Sequence, residues 1–178
     1  MEKREKEDRL LKSLMADFTE GDMQAAFFPL EETGGVTDIL RVAVENFGRN
    51  GDDILGEFFF LPLENGASDV LYFASVLSLD EVLEPVHLPQ LYNAISRLNY
   101  YLPAGCFAVN ASGTMLVFKV MAQLPGELSE EAMLRQMNIA AVHALQVAEP
   151  YTALLIGIAH GDNDLSELAA LLPDEDAG

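Results

Sequence analysis

The chain has 178 residues, with 29 Asp and Glu against 10 Lys and Arg, and a formal net charge of −19. A chain this acidic repels a phosphate backbone, so we expect no nucleic-acid partner. Half of its residues are hydrophobic and 22% are charged, which is typical of a folded globular domain and excludes disordered and fibrous classes.

The first segment predicts a helix that ends at Gly21. Its apolar residues recur at three- and four-residue spacing: Leu10, Leu11, Leu14, Met15 and Phe18. The short apolar stretch from Ala25 to Leu30 is stopped by Pro29. Because proline cannot donate to a strand ladder, this stretch fits either an edge strand or an ordered loop.

Three strands are predicted next, over Val36–Phe47, Leu55–Leu63 and Asp69–Leu79. The first shows the alternation of apolar and polar residues that is typical of a half-buried strand. The pairs Asn50-Gly51 and Asn65-Gly66 lie between the strands, and Asn-Gly favours a hairpin turn because both residues tolerate positive φ. The pattern predicts an antiparallel meander.

A helical period then returns between Leu88 and Leu102, and Pro103 ends it. Two further strands are predicted at Gly105–Asn110 and Thr114–Leu124, joined by a tight turn over residues 111–113.

Ser129 is predicted to cap the next helix, which carries a face of small apolar residues. Pro150 is expected to kink or restart this helix before it ends at Gly161. Asp-Asn-Asp at residues 162–164 could then cap a short last helix over Leu165–Leu172.

The order α-β-β-β-α-β-β-α predicts one α+β domain over residues 1–161, with helices packed on an antiparallel five-stranded sheet. Residues 162–178 carry six acidic and no basic side chains. We interpret them as an acidic C-terminal extension that is solvated.

The cysteine content and the distribution of charge along the sequence indicate where in the cell the protein is located. A single cysteine, Cys106, cannot form an intramolecular disulfide, which favours a reducing compartment. The N-terminus, MEKREKEDRL, carries charges where a signal peptide needs an apolar stretch. The longest uncharged stretch, Leu98 to Phe118, contains Pro103 and four other turn-forming residues, so it does not predict a transmembrane helix. We expect a cytoplasmic protein with no membrane partner.

The second half resembles the type III secretion chaperone-like superfamily, which includes the class I effector chaperones and the YbjN-like regulators of sensory transduction. The resemblance is best over Leu91–Leu155 and is carried by the stretch LYNAISRLNYYLPAGCFAVNASGTMLVFKVMAQLPGELSEEAMLRQM. The matching positions are packing and turn residues: Asn99, Gly105, Phe107, Leu124, Pro125, Leu128 and Leu134. The first 85 residues match only in the order of their elements.

The resemblance implies an antiparallel sheet with helices packed on it, a homodimer and no catalysis. For the chaperone branch it also implies an exposed apolar surface that holds an extended segment of a client protein.

Residues with catalytic or metal-binding chemistry do not form a recognisable motif. His87, His143 and His160 stand apart, with no second ligand at metal-binding spacing. Cys106 has no adjacent histidine or cation in the sequence that would activate its thiol as a nucleophile. We therefore predict no catalytic residue, no metal and no cofactor.

The apolar content exceeds what one face of one sheet would bury. Phe58, Phe59 and Phe60 are consecutive, so Phe58 and Phe60 should face one way and Phe59 the other. Either helices cover both faces of the sheet, or one face meets a partner. On the second hypothesis these three phenylalanines are the candidate partner-binding residues.

Two functions follow as hypotheses. The first is a non-enzymatic protein-binding module, chaperone- or adaptor-like, that acts as a homodimer and holds a client polypeptide. Its dimer face would use an edge strand of the sheet or the helix from Ser129 to Ala148, whose alanines allow close approach. The alternative is a regulator of the same fold that senses a small ligand in an internal pocket.

Overall fold

The computed structural model describes residues 2–63, 69–80 and 83–172. The helices are α1 (Glu2–Glu20), α2 (Leu30–Thr33), α3 (Leu88–Tyr101), α4 (Glu130–His160) and α5 (Leu165–Ala169). The strands are β1 (Gln24–Phe28), β2 (Ile39–Phe47), β3 (Asp52–Phe60), β4 (Val70–Asp80), β5 (Cys106–Val109) and β6 (Leu116–Pro125).

The strands form one antiparallel sheet in the order β1-β2-β3-β4-β6-β5. The α+β class, the antiparallel sheet and the β2-β3-β4 meander are confirmed. The prediction of five strands is wrong, because residues 24–28 pair along their whole length with β2 and add a sixth strand at the edge. The element order therefore gains a strand, and also the short α2, after α1.

All three long helices pack on one side of the sheet. Their apolar residues share a single buried cluster with every second residue of the strands. Phe18 of α1 lies 5.1 Å from Phe58 between ring centroids, and Tyr151 of α4 lies 6.5 Å from Phe107. Within this layer α4 contacts α1 and α3. Because successive side chains of a strand point to opposite faces, alternate residues lie on the face that the helices cover and on the opposite face.

The β2–β3 connection is a hairpin, as predicted, but its loop is longer than a two-residue Asn-Gly turn. Residues 48–51 form the turn, and positive φ occurs at Gly48 and Gly51. Asn46 also has positive φ, beside a shift in register before Phe47. The turn predicted at Asn65-Gly66 lies outside the described residues.

Helix α4 is continuous through Pro150, so the expected restart is wrong. Ser129 caps it as predicted, because the Ser129 hydroxyl accepts a hydrogen bond from the Ala132 N–H at 3.2 Å. The small-residue face of α4 is buried against the sheet and its neighbouring helices: Ala140, Ala141, Ala144 and Ala148. Because these alanines already pack inside the chain, they cannot contact a second copy, and the close approach expected at a dimer face cannot involve them.

The C-terminal extension begins with ordered structure. Asp164 caps α5 by accepting the Ser166 N–H at 2.7 Å. Leu168 of this helix is fully buried against the domain. α5 ends at Ala169, three residues before the predicted end at Leu172.

Candidate protein-binding surface

The side of the sheet opposite α1, α3 and α4, which we call the open face, presents apolar side chains together with a few charged and amide groups. None of its hydrophobic residues belongs to the cluster under the helices or packs against that cluster. The strand registers place these residues on the open face: Gln24, Ala26, Phe28, Ile39, Arg41, Ala43, Leu55, Glu57, Phe59, Val70, Tyr72, Ala74, Val76, Ser78, Cys106, Ala108, Val117, Lys119, Met121, Gln123 and Pro125.

One line of side chains across the open face is entirely apolar, and we call it the apolar row. Directly paired positions on five neighbouring strands form it: Phe28, Ile39, Phe59, Ala74 and Met121. Met121 is 52% exposed. Phe28, Ile39 and Phe59 are each partly exposed. Ala74, between Phe59 and Met121, is 3% exposed. A row of partly exposed large apolar side chains is typical of a surface that binds another protein.

The next line, which we call the charged row, runs parallel to it. Its members are Ala26, Arg41, Glu57, Val76, Lys119 and Cys106. Arg41 Nε donates to Glu57 Oε1 at 2.9 Å, and the Arg41 guanidinium carbon lies 5.0 Å from the Phe28 ring centroid. Among the described residues, no carboxylate lies within ion-pair distance of Lys119.

The three predicted phenylalanines separate by face. Phe58 and Phe60 are 1% and 2% exposed. Their rings pack with Phe73, at centroid distances of 6.3 Å and 5.6 Å. Phe59 lies on the open face between Ile39 and Ala74. The partner-binding role of these residues stays a prediction, and only Phe59 lies where a partner could reach it without the core opening.

Sequence reasoning did not single out Ile39 or Met121. Their signal was the alternation itself: Ile39 alternates with the buried Leu40, and Met121 with the buried Val120. Phe28 follows Phe27 directly in the sequence, within the apolar stretch from Ala25 to Leu30. The structure separates that pair, because Phe27 packs on the covered face and Phe28 on the open face.

The two edges of the sheet differ. At the β5 edge, the Asn99 side chain donates to the Phe107 carbonyl at 3.0 Å and accepts the Phe107 N–H at 2.9 Å. This amide replaces a neighbouring strand and blocks further pairing there. The opposite edge, β1, ends at Pro29 after five residues, and both shortness and proline discourage edge-to-edge pairing.

Titratable groups cluster at the start of α1, away from the open face. Arg4 pairs with Glu31 at 2.8 Å and with the buried Asp38 at 3.2 Å, and Asp38 also accepts the Leu30 N–H at 2.8 Å. The hydrogen bond from Arg4 lowers the pKa of Glu31. Burial raises the pKa of Glu7. These contacts tie α2 to α1.

Metal-binding and reactive side chains stay dispersed. Within the described ranges, no group of three or more His, Cys, Asp and Glu side chains is placed to hold a metal ion. Cys106 lies at the edge of the open face, directly opposite Lys119. His143 Nε2 is buried with no hydrogen-bond partner among the described residues.

A cleft of about 590 Å³ lies at the surface between the β2–β3 turn, α4 and α5. Arg49, Asp162 and Glu167 are among the residues that line it. It lies at the surface and outside the core, so it is not the internal pocket that a ligand sensor of this fold would use.

The longest helix, α4, meets the length and hydropathy requirements of a membrane span, and 33% of its most apolar window is buried. This is weak evidence, because the core helix of a soluble protein satisfies the same criteria. Here its small-residue face packs in the core, and Ile139 and Val142 point outward at 58% and 47% exposure.

Comparison with models of known protein families found none that matches this chain, and a search of curated proteins found no match either.

Proposed function

We propose that this protein is a cytoplasmic, non-enzymatic protein-binding module, chaperone- or adaptor-like, that holds a partner polypeptide on its open face. The observation that supports the proposal is the apolar row. It places Phe28, Ile39, Phe59 and Met121 side by side on the side of the sheet opposite the helices. The resemblance to the secretion chaperones, which implies an exposed apolar surface for a client segment, agrees with this use of the open face.

The side chains of the apolar row suit a partner of variable sequence. Phe59 and Phe28 offer large rigid apolar contacts, and such aromatic anchors dominate binding energy at interfaces. Met121 is flexible and polarisable, so it can adapt to different apolar groups. Lys119 beside it supplies a cation for an acidic group of the partner. The surface therefore favours apolar polypeptide segments over small ligands.

The test is binding of a reduced and carboxymethylated, permanently unfolded polypeptide of near-neutral net charge, measured by fluorescence anisotropy. Phe59→Asp places a charge in the apolar row and should weaken binding at least tenfold. Ile139→Asp places the same charge on the exposed side of α4 and is the matched control, expected to bind like the unaltered chain. Equal binding by both variants, or no binding by the unaltered chain, would contradict the proposal.

A further inference from the structure

The charged row is self-complementary between its two central strands. Arg41 on β2 and Glu57 on β3 lie side by side, with side chains 41% and 25% exposed. Consider two copies stacked with their open faces together, related by a two-fold axis that lies between the sheets, parallel to the strands and midway between β2 and β3. This rotation places β2 of each copy over β3 of the other. The charged row of one copy then lies against the charged row of the other, and the apolar row against the apolar row. That symmetry places Arg41 of each copy against Glu57 of the other, so both pairs formed across the interface are attractive.

The apolar row also matches itself under this rotation. The same axis sets β1 of one copy over β4 of the other, so that Phe28 faces Ala74 and Ile39 faces Phe59. Each aromatic ring then meets a smaller side chain. Packed sheets interdigitate in this way, with their strands about 30° apart and their faces about 10 Å apart.

The area is sufficient for a stable contact. The facing parts are nine residues each of β2 and β3 and the five residues of β1 over β4 on either side. At about 4.8 Å between strands and about 3.3 Å per residue they cover a plane of about 440 Å². The solvent-accessible area of this part of the open face is larger than the flat plane, because side chains project from it. It therefore approaches the roughly 800 Å² that each partner buries in a standard interface. In the next row along the strands, Ala43 lies opposite Leu55 of the other copy, and Gln24 lies opposite Ser78.

We propose that, when no client is bound, the open face closes against the open face of a second copy of this chain, with β2 of each copy over β3 of the other. The inference rests on the proposed function in treating the open face as a protein-binding surface. In the absence of a client, the second copy covers the open face, and a client polypeptide must displace it to bind. It also replaces the edge strand and the α4 alanines as the expected dimer face.

Charge reversal tests the arrangement. Arg41→Glu gives a face with two carboxylates, and Glu57→Arg gives a face with two guanidinium groups, so each variant alone should repel itself. In sedimentation experiments the unaltered chain should have about twice the 19.5 kDa chain mass, and each variant should associate at least tenfold more weakly. An equimolar mixture of the two variants should restore association as a heterodimer, because the faces are then complementary.

Two further variants control for folding and location. Arg41→Glu combined with Glu57→Arg in one chain restores both the internal pair and the self-complementarity, so it should dimerise like the unaltered chain. Ile139→Asp on α4 should leave association unchanged. A monomeric unaltered chain at 100 µM, single variants that associate normally, a mixture that stays monomeric, or a dimer lost only with Ile139→Asp would each overturn the inference.

Polypeptide binding, measured on the same samples, separates this inference from the proposed function. A monomeric unaltered chain that binds unfolded polypeptide through Phe59 would overturn the dimer and support the function. A dimer with the predicted charge response that binds no unfolded polypeptide would support the dimer and overturn the function.

Discussion

Adjacent phenylalanines on β3 occupy opposite environments. Phe58 is 1% exposed and packs 5.1 Å from Phe18, whereas Phe59 lies on the open face. Phe58→Ala should leave a cavity under the helices and lower the free energy of unfolding by about 3–5 kcal/mol. Phe59→Ala removes no core contact and should change it by about 1 kcal/mol or less.

Urea unfolding followed by circular dichroism measures both variants. The measurement is made at low protein concentration, because association adds to apparent stability. Phe60→Ala is the companion variant and should resemble Phe58→Ala, since Phe60 is 2% exposed. Equally large losses at all three positions would mean that Phe59 is also a core residue, and the open face would fail as a binding surface at this strand.

Asn99 satisfies the outer edge of β5, the edge that faces away from β6, through a single side chain. Asn99→Ala removes both of its hydrogen bonds to Phe107 and should lower the free energy of unfolding by about 1–3 kcal/mol. The exposed Asn93 on the same helix supplies the control, and Asn93→Ala should have an effect within about 0.5 kcal/mol. Urea denaturation compares the two variants, and equal stabilities would show that solvent satisfies the β5 edge equally well.

At the scale of elements, the cap of α4 fixes where the longest helix begins. Ser129→Ala removes the acceptor of the Ala132 N–H and should lower the free energy of unfolding by about 0.5–2 kcal/mol. Ser129→Asp retains an acceptor and a favourable charge at the helix N-terminus, so it should preserve stability. Thermal unfolding of the two variants tests this, and equal losses from both would show that the cap is not what stabilises this helix end.

The elements that were predictable are those with strong local signals. Alternation and turn residues predicted the β2-β3-β4 meander, and helical spacing with Ser129 predicted α4. Residues 24–28 stayed ambiguous, because five residues before a proline suit a loop as well as an edge strand. Pro150 was expected to kink or restart α4, but the helix continues through it. Packing of both halves maintains the helix, because Ala148 and Leu155 on either side of the proline are buried.

Which face of the sheet is open could not be predicted from the sequence. A period of two separates Phe58 from Phe59 but does not identify the face that the helices cover. The covered face is the one against which α1, α3 and α4 pack, and this packing is determined by contacts between residues that are distant in sequence. The pairing of Phe59 with Ile39, and of Ala74 with Met121, depends on strand registers that separate sequence segments do not reveal. The candidate site therefore needed the fold, whereas most of the elements did not.

For the whole molecule, a net charge of −19 opposes association of two copies, while the paired charges of the open face favour it. Salt screens the distributed repulsion more than the partly buried Arg41–Glu57 contacts, because screening acts most on exposed, distant charges. Between 10 mM and 100 mM NaCl the Debye length falls from about 30 Å to about 10 Å. We therefore expect the association constant of the dimer to rise several-fold over this range, as measured by sedimentation equilibrium.

Glu131→Gln with Glu149→Gln removes two exposed charges on α4, far from the open face, and should raise association at low salt while flattening the salt response. Association that instead weakens as salt is added would mean that local ion pairs, and not net repulsion, govern the contact.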